Sequence, residues 1–161
     1  MNSKERVLTA LRGEQPDRVP FVEGQVDPPI QRALVGKDDF LPEELNEVVG
    51  LDNLIVDLSP LIFGEYEEHD GINFVSAPLI HSRDDLGIMA FPDPDDAALY
   101  APGEALIARN KGTYAVAAKM RLGVSPMLMS LGLDGFSYAL ADDPGLVDTV
   151  LGRYADWSIA V

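Results

Sequence analysis

The run from residue 51 to 58, with Leu54-Ile55-Val56 at its centre, is the feature that most limits how this chain can fold. Its apolar residues are continuous rather than alternating. That marks a strand buried on both faces, and such strands belong to parallel sheets covered by helices. The segments before it agree. Ile30, Ala33 and Leu34 follow Pro28-Pro29, and Leu45, Val48 and Val49 follow Pro42; Gly36 and Gly50 close the two patterns. Proline just inside the start and glycine just past the end are the punctuation of short helices. A β-α-β order in an α/β fold follows.

The other elements extend this order. Val7, Leu8 and Leu11 share one face of a helix over 3–12, with Asn2 and Glu5 at capping-box spacing and Gly13 past its end. Asp17 to Glu23 leads into a brief strand near 19–23, although Pro20 removes one ladder donor. Tyr114-Ala115-Val116-Ala117-Ala118 supplies a third strand, with Lys119, Arg121 and Gly123 in the loop after it. Strands near 19–23, 52–58 and 113–118 are expected to lie adjacent and parallel. Residues 61–91 read as a β-rich excursion outside that wall, with Asp70-Gly71 favouring a tight hairpin turn. A helix over 97–109 should be broken in two by Pro102. Leu131, Phe136 and Leu140 mark a further helical region after Pro126.

Asp143-Pro144 opens a last helix whose stripe runs through Val147, Val150, Leu151, Tyr154, Ser158 and Val161. The pattern reaches Val161 without a C-cap. Three strands are too few to close a parallel barrel, which needs eight and roughly 250 residues. The expectation is a truncated barrel whose Tyr154, Trp157 and Val161 lack a complete wall, which self-associates and which is inactive alone.

Composition narrows the partners. The chain has 161 residues, 27 acidic and 12 basic, for a formal charge of −15. That balance repels phosphate backbones and anionic lipid, so neither nucleic acid nor a membrane is expected. It contains no cysteine, so no disulfide and no thiolate metal site is expected, and no cofactor is assigned to this segment. Charged residues follow Met1 where a signal peptide needs an apolar core, and no apolar run approaches the roughly 18 residues of a span. A cytoplasmic location is expected.

The stretch Lys4-Glu5-Arg6-Val7-Leu8-x-Ala10-Leu11-x-Gly13-Glu14-x-Pro16-Asp17-Arg18-Val19-Pro20-Phe21 resembles the start of the uroporphyrinogen decarboxylase and methylcobamide methyltransferase family. Phe91-Pro92-Asp93-Pro94-Asp95-Asp96 and Leu140-Ala141-Asp142-Asp143-Pro144-Gly145-Leu146-Val147 resemble two later landmarks in the same order. The resemblance implies a TIM-type (β/α)8 barrel, of which residues 1–161 form the N-terminal portion, about the first three βα units. It implies decarboxylase (lyase) chemistry of porphyrin biosynthesis, or corrinoid-linked methyl transfer with a corrinoid protein as partner. The decarboxylases carry an arginine-rich loop after the first strand, resembling R-Q-A-G-R. Here Val22-Glu23-Gly24-Gln25-Val26-Asp27 stands instead, and its two acids would repel a polycarboxylate. The decarboxylase aspartate after the second strand has Asp57 as its nearest counterpart, two residues early, with Ser59 at the family spacing. The methyltransferase branch uses zinc on histidine and cysteine ligands of the C-terminal half, beyond Val161.

Barrel enzymes place reacting groups at the C-terminal ends of strands, which selects Glu23 and Asp57 as catalytic candidates and Lys119 and Arg121 as substrate-binding ones. Each has a plainer reading. Glu23 is a base or pocket wall, or a solvated loop acid; Asp57 is a site acid, or caps the next turn. Arg121 steadies a substrate anion, or forms a structural ion pair. Asp17 and Arg18 suit a salt-bridged joint between helix and strand. His69, among Glu67, Glu68 and Asp70, suits a solvated charge cluster, and His81 stands alone. Met127 and Met129 are expected in the core. A noncatalytic half-barrel that associates with itself or another chain through open sheet edges is the second functional class.

Overall fold

A computed structural model describes residues 1–161. The elements run α1 (Ser3–Leu11), α2 (Pro28–Val35), α3 (Pro42–Val49), β1 (Asn53–Asp57), β2 (Gly64–His69), β3 (Ile72–Pro78), a 3-10 helix (Arg83–Ile88), α4 (Ala97–Asn110), β4 (Ala115–Lys119), α5 (Val124–Leu131), α6 (Leu133–Asp142) and α7 (Pro144–Ala160). They form two compact units: Met1–Asp57 with Tyr100–Lys119, and Leu58–Leu99 with Met120–Val161.

In the first unit β1 and β4 pair in parallel, with register running from Asn53 opposite Ala115 to Asp57 opposite Lys119. This is the parallel α/β order expected from the continuous apolar run. Helices α2 and α3 also form as read. Each has proline in its first turn, and Gly36 and Gly50 close them in the left-handed region at φ 80° and 82°, which glycine enters without a Cβ penalty. Arg109 of α4 holds Glu43 of α3 at 2.8 Å, and that bond keeps the Glu43 carboxyl below its ordinary range against the effect of burial. Gly103 lets α4 lie close on the sheet, since a Cβ there would sit 3.1 Å from Val56 Cγ1.

Three expectations change in or near this unit. The strand at 19–23 does not form. The Asp52 N–H donates to the Phe21 carbonyl at 2.8 Å. The return bonds, however, run from Phe21 N–H to Asp52 Oδ2 at 2.8 Å and from Glu23 N–H to Asn53 Oδ1 at 3.1 Å. Two side chains have taken the place of a ladder, as short polar side chains can, and Pro20 has no donor to offer one. Helix α1 keeps its Asn2–Glu5 capping box but buries Arg6 and Thr9, while Leu11 remains 78% exposed. Pro102 does not break α4. The carbonyl its ring frees belongs to Ala98, which is exposed and can be satisfied by water.

Arg6 turns inward because Asp52 is there. Asp52 has no exposed surface. Its Oδ1 accepts from Arg6 Nη1 at 2.6 Å and from Arg18 Nη2 at 3.0 Å, and Asp17 takes Arg6 Nε at 2.7 Å. Burial by itself would raise the Asp52 carboxyl. The Phe21 N–H, the Ser3 hydroxyl and the two guanidinium groups outweigh it, and the group is held below its ordinary value. The bond from Arg6 is the chief cause holding Asp17 down as well. Asp17 and Arg18 are therefore parts of a salt-bridged joint.

The second unit pairs β2 and β3 antiparallel through a turn at Asp70 and Gly71, both at positive φ, as the Asp-Gly pair predicts. The chain after the hairpin feeds the core of this unit. Ile80 and Met89 cluster with Met127, Leu131, Val147, Val150 and Tyr154. Phe91 meets Phe63 and Tyr154 edge-on at 5.2 Å each and stacks on Trp157 at 5.9 Å. The Tyr154 hydroxyl bonds Ser130 Oγ at 2.7 Å and the Leu61 carbonyl at 3.0 Å, and Trp157 Nε1 donates to the Pro92 carbonyl at 2.7 Å. Tyr154 and Trp157 were expected to lack a wall. They are 0% and 6% exposed, because the 61–91 segment supplies one. Met129 was expected in the core but is 38% exposed, since α5 turns Met127, Ser130 and Leu131 inward. Asp143 caps α7 and pairs with Arg83 at 2.7 Å.

Replacing Asp52 with Ala leaves two guanidinium groups facing a gap, and is expected to lower unfolding free energy by about 3 kcal/mol in denaturant titrations. Because the folded carboxyl sits below its ordinary value of 3.8, its contribution is full above that pH and is lost as pH falls toward the folded value. The gap between wild type and Asp52→Ala should therefore narrow from pH 5 to pH 2. Tyr154→Phe leaves Ser130 and a carbonyl without their partner and should cost about 1–2 kcal/mol by the same measurement.

Candidate functional site

The C-terminal ends of β1 and β4 open onto a cleft of about 430 Å³ within the first unit. Its apolar side is formed by Leu45, Leu51, Leu54 and Ile55, and its polar side includes Glu23, Gln25, Asp57 and Lys119. The sheet register places Asp57 directly opposite Lys119, and Lys119 Nζ lies 3.3 Å from Asp57 Oδ2. The same ammonium donates to Gln25 Oε1 at 2.8 Å. Lys119 was expected in a loop. It is instead the last residue of β4, so its Cα is fixed by the ladder.

Glu23 reaches the cleft by a different route. Asn53, 3% exposed at the start of β1, receives the Glu23 N–H on Oδ1 and returns a bond from Nδ2 to the Glu23 carbonyl at 3.0 Å. Asn46 of α3 donates to the Asn53 carbonyl at 2.7 Å. The Glu23 carboxylate accepts the Gly24 N–H at 2.8 Å and so folds over its own loop. Asn53, Asn46 and Gln25 were not singled out from sequence. Three amides among many give no signal until the fold brings them together.

The structure thus joins Glu23, Asp57 and Lys119 around one cleft. Arg121 belongs to the second unit. Its N–H donates to Ser59 Oγ at 3.0 Å, and its guanidinium Nη1 lies 3.6 Å from Met129 Sδ. His69 sits 3.6 Å from Glu67, with both side chains well exposed, as a solvated cluster would. The His81 backbone N–H donates to Asp85 Oδ2 at 2.9 Å. No group of three or more histidine, cysteine, aspartate or glutamate side chains is placed to hold a metal. No helix is long and apolar enough to cross a membrane.

Chemically the cleft offers one ammonium held between two oxygen acceptors, two carboxylates, and an apolar side. An ammonium has three N–H donors, and two are engaged here, leaving one for a ligand oxygen.

No protein-family model matches the chain, and no curated protein matches it. Among solved structures, a methyltransferase from Methanosarcina mazei shares the fold with a TM-score of 0.67 at 20% identity. The match covers 99% of this chain and 54% of that one. The chain thus spans about half the length of that methyltransferase, and the likeness is one of fold.

Asn53→Ala is expected to release the Glu23 loop while leaving the sheet paired. Residue-resolved hydrogen exchange should show the Glu23 amide exchanging about tenfold faster or more, with the Ala117 amide unchanged. Equal acceleration at both positions would mean that Asn53 supports the whole sheet and not the loop.

Proposed function

We infer that this chain is the N-terminal portion of a uroporphyrinogen decarboxylase-type barrel of the methyltransferase branch, and that its cleft binds a small carboxylated or methylated substrate. The observation that carries the reading is the cleft in which Asp57 and Lys119 pair at the C-terminal ends of two parallel strands, with Glu23 on its lining. Barrel enzymes do their chemistry at that end. The methyltransferase fold likeness, over nearly the whole chain, supports the branch. A corrinoid protein is the methyl-group partner this reading implies for the full assembly.

In this reading Lys119 receives a substrate carboxylate or carbonyl on its remaining N–H, while Asp57 and Gln25 keep the ammonium in place. Glu23 and Asp57 are the groups able to take or give a proton. A porphyrinogen with several carboxylates suits the cleft poorly, because two carboxylates face one lysine there. Zinc does not fit these residues, in a chain with no cysteine and no cluster of ligands, and no step here runs through it. Residues 1–161 bind substrate in this reading and do not turn it over alone.

Titration with butyrate, followed by amide shifts, should perturb Gln25, Asp57 and Lys119, and Lys119→Met should weaken the binding about tenfold or more, the loss of one charge-assisted bond. Unchanged affinity in Lys119→Met, or shifts confined to other residues, would remove the cleft from the proposal. Turnover of methylcobalamin by the isolated chain would contradict the requirement for a further portion.

A further inference from the structure

The cleft holds one charge that its other side chains leave unanswered. Its lining carries three charged groups, Glu23, Asp57 and Lys119. Lys119 Nζ lies 3.3 Å from Asp57 Oδ2, so those two balance each other. Glu23 has no cation beside it. Its Oε1 accepts the Gly24 N–H at 2.8 Å and the Gln25 N–H at 3.4 Å, while Oε2 takes no hydrogen bond from the protein. A carboxylate with one oxygen open accepts a cationic donor most strongly. Gln25 sets how far that oxygen stands from the Lys119 ammonium. Its Oε1 holds the ammonium at 2.8 Å, and its backbone N–H faces Glu23. One residue thus bridges the remaining N–H of Lys119 and the open oxygen of Glu23, which places both within the span of a single small molecule.

We propose that the ligand of this cleft is a small aliphatic zwitterion, with its carboxylate on Lys119, its ammonium on Glu23 and its carbon chain against Leu45, Leu51 and Leu54. The proposal rests on the reading of the cleft as a substrate site and narrows the class of substrate. A simple carboxylate uses half of what the cleft offers. Bound at Lys119, it brings a further negative charge to a place where two carboxylates already outnumber one ammonium, and Glu23 stays unanswered. A simple amine answers Glu23 but leaves the third donor of Lys119 without an oxygen. A molecule carrying both groups satisfies both ends and adds no net charge. The apolar side of the cleft suits the short chain that joins them.

The test compares butyrate, butylamine, 2-aminobutyrate and 4-aminobutyrate, with dissociation constants read from the Gln25 and Lys119 amide shifts at one ionic strength. At least one of the two amino acids is expected to bind about threefold or more tighter than both butyrate and butylamine, the contribution of one exposed ion pair. That gain should shrink as salt is raised. Glu23→Gln keeps a side-chain oxygen for the Gly24 N–H and so keeps the loop. It should bind butyrate more tightly, because a negative charge facing the ligand is gone, and should hold the amino acid no better than butyrate. Lys119→Met should hold the amino acid no better than butylamine. If none of the four ligands shifts Gln25 or Lys119, the reading of the cleft as a substrate site falls and the zwitterion falls with it. If butyrate binds and neither amino acid exceeds it, if butylamine equals them both, or if the amino acid keeps its advantage in Glu23→Gln, the zwitterion alone is overturned.

Discussion

A buried carboxylate with two guanidinium partners organises the cleft-bearing unit. Asp52 has no exposed surface, and a lone charge in that position would cost several kcal/mol. The cost is offset only while Arg6 of α1, Arg18 of the joint, the Phe21 N–H and the Ser3 hydroxyl all converge on it. Those partners come from separate stretches of chain, so one ionised side chain fixes α1, the segment after it and the start of β1 together. Asp17 extends the network by binding Arg6 and the N-terminal ammonium. The conspicuous charges of the opening segment are thus architectural. They build the platform on which the cleft stands.

Asn53, the next residue, continues the same device. Its carboxamide meets both backbone groups of Glu23, where a neighbouring strand would otherwise have supplied a ladder. Residues 19–23 are held beside β1 by side chains of β1's own entry, and this leaves the Glu23 to Gln25 loop free to turn toward Lys119. A regular ladder would have continued in a straight line. The substitution of side chain for strand is what brings Gln25 within 2.8 Å of the Lys119 ammonium.

What could be read from the sequence was what local chemistry decides. The proline and glycine punctuation of α2 and α3, the Asp70-Gly71 turn and the strand at β1 each depend on residues within a few positions, and each formed as expected. Burial of β1 on both faces stops at Leu54, however, and Ile55 and Val56 are half-buried. The parallel partnership of β1 with β4 followed from the missing alternation. Where the reading failed, a distant partner decided the outcome. Leu8 and Leu11 looked like the inward face of α1 until Asp52, far along the chain, drew Arg6 inside. Trp157 looked unsupported because Phe91, on which it packs, ends a segment read as an excursion, and the carbonyl it bonds belongs to the next residue, Pro92. Of the candidate site, Glu23, Asp57 and Lys119 were legible as charges near strand ends. Asn53 and Gln25 were not, because an amide signals nothing until its partners are known.

The central claim is that Asp52 stays ionised while wholly buried, and the most direct measurement follows its side-chain carboxyl carbon by NMR as the folded protein is acidified. Three or more donors on the charged form should keep the resonance at its ionised position through pH 3.8, the ordinary aspartate value, with protonation arriving only at lower pH and together with loss of the Phe21 amide's protection. Titration at or above 3.8 in a chain that remains folded would contradict it. The carboxylate would then be a passive neighbour of Arg6 and Arg18, and the platform beneath the cleft would need another explanation.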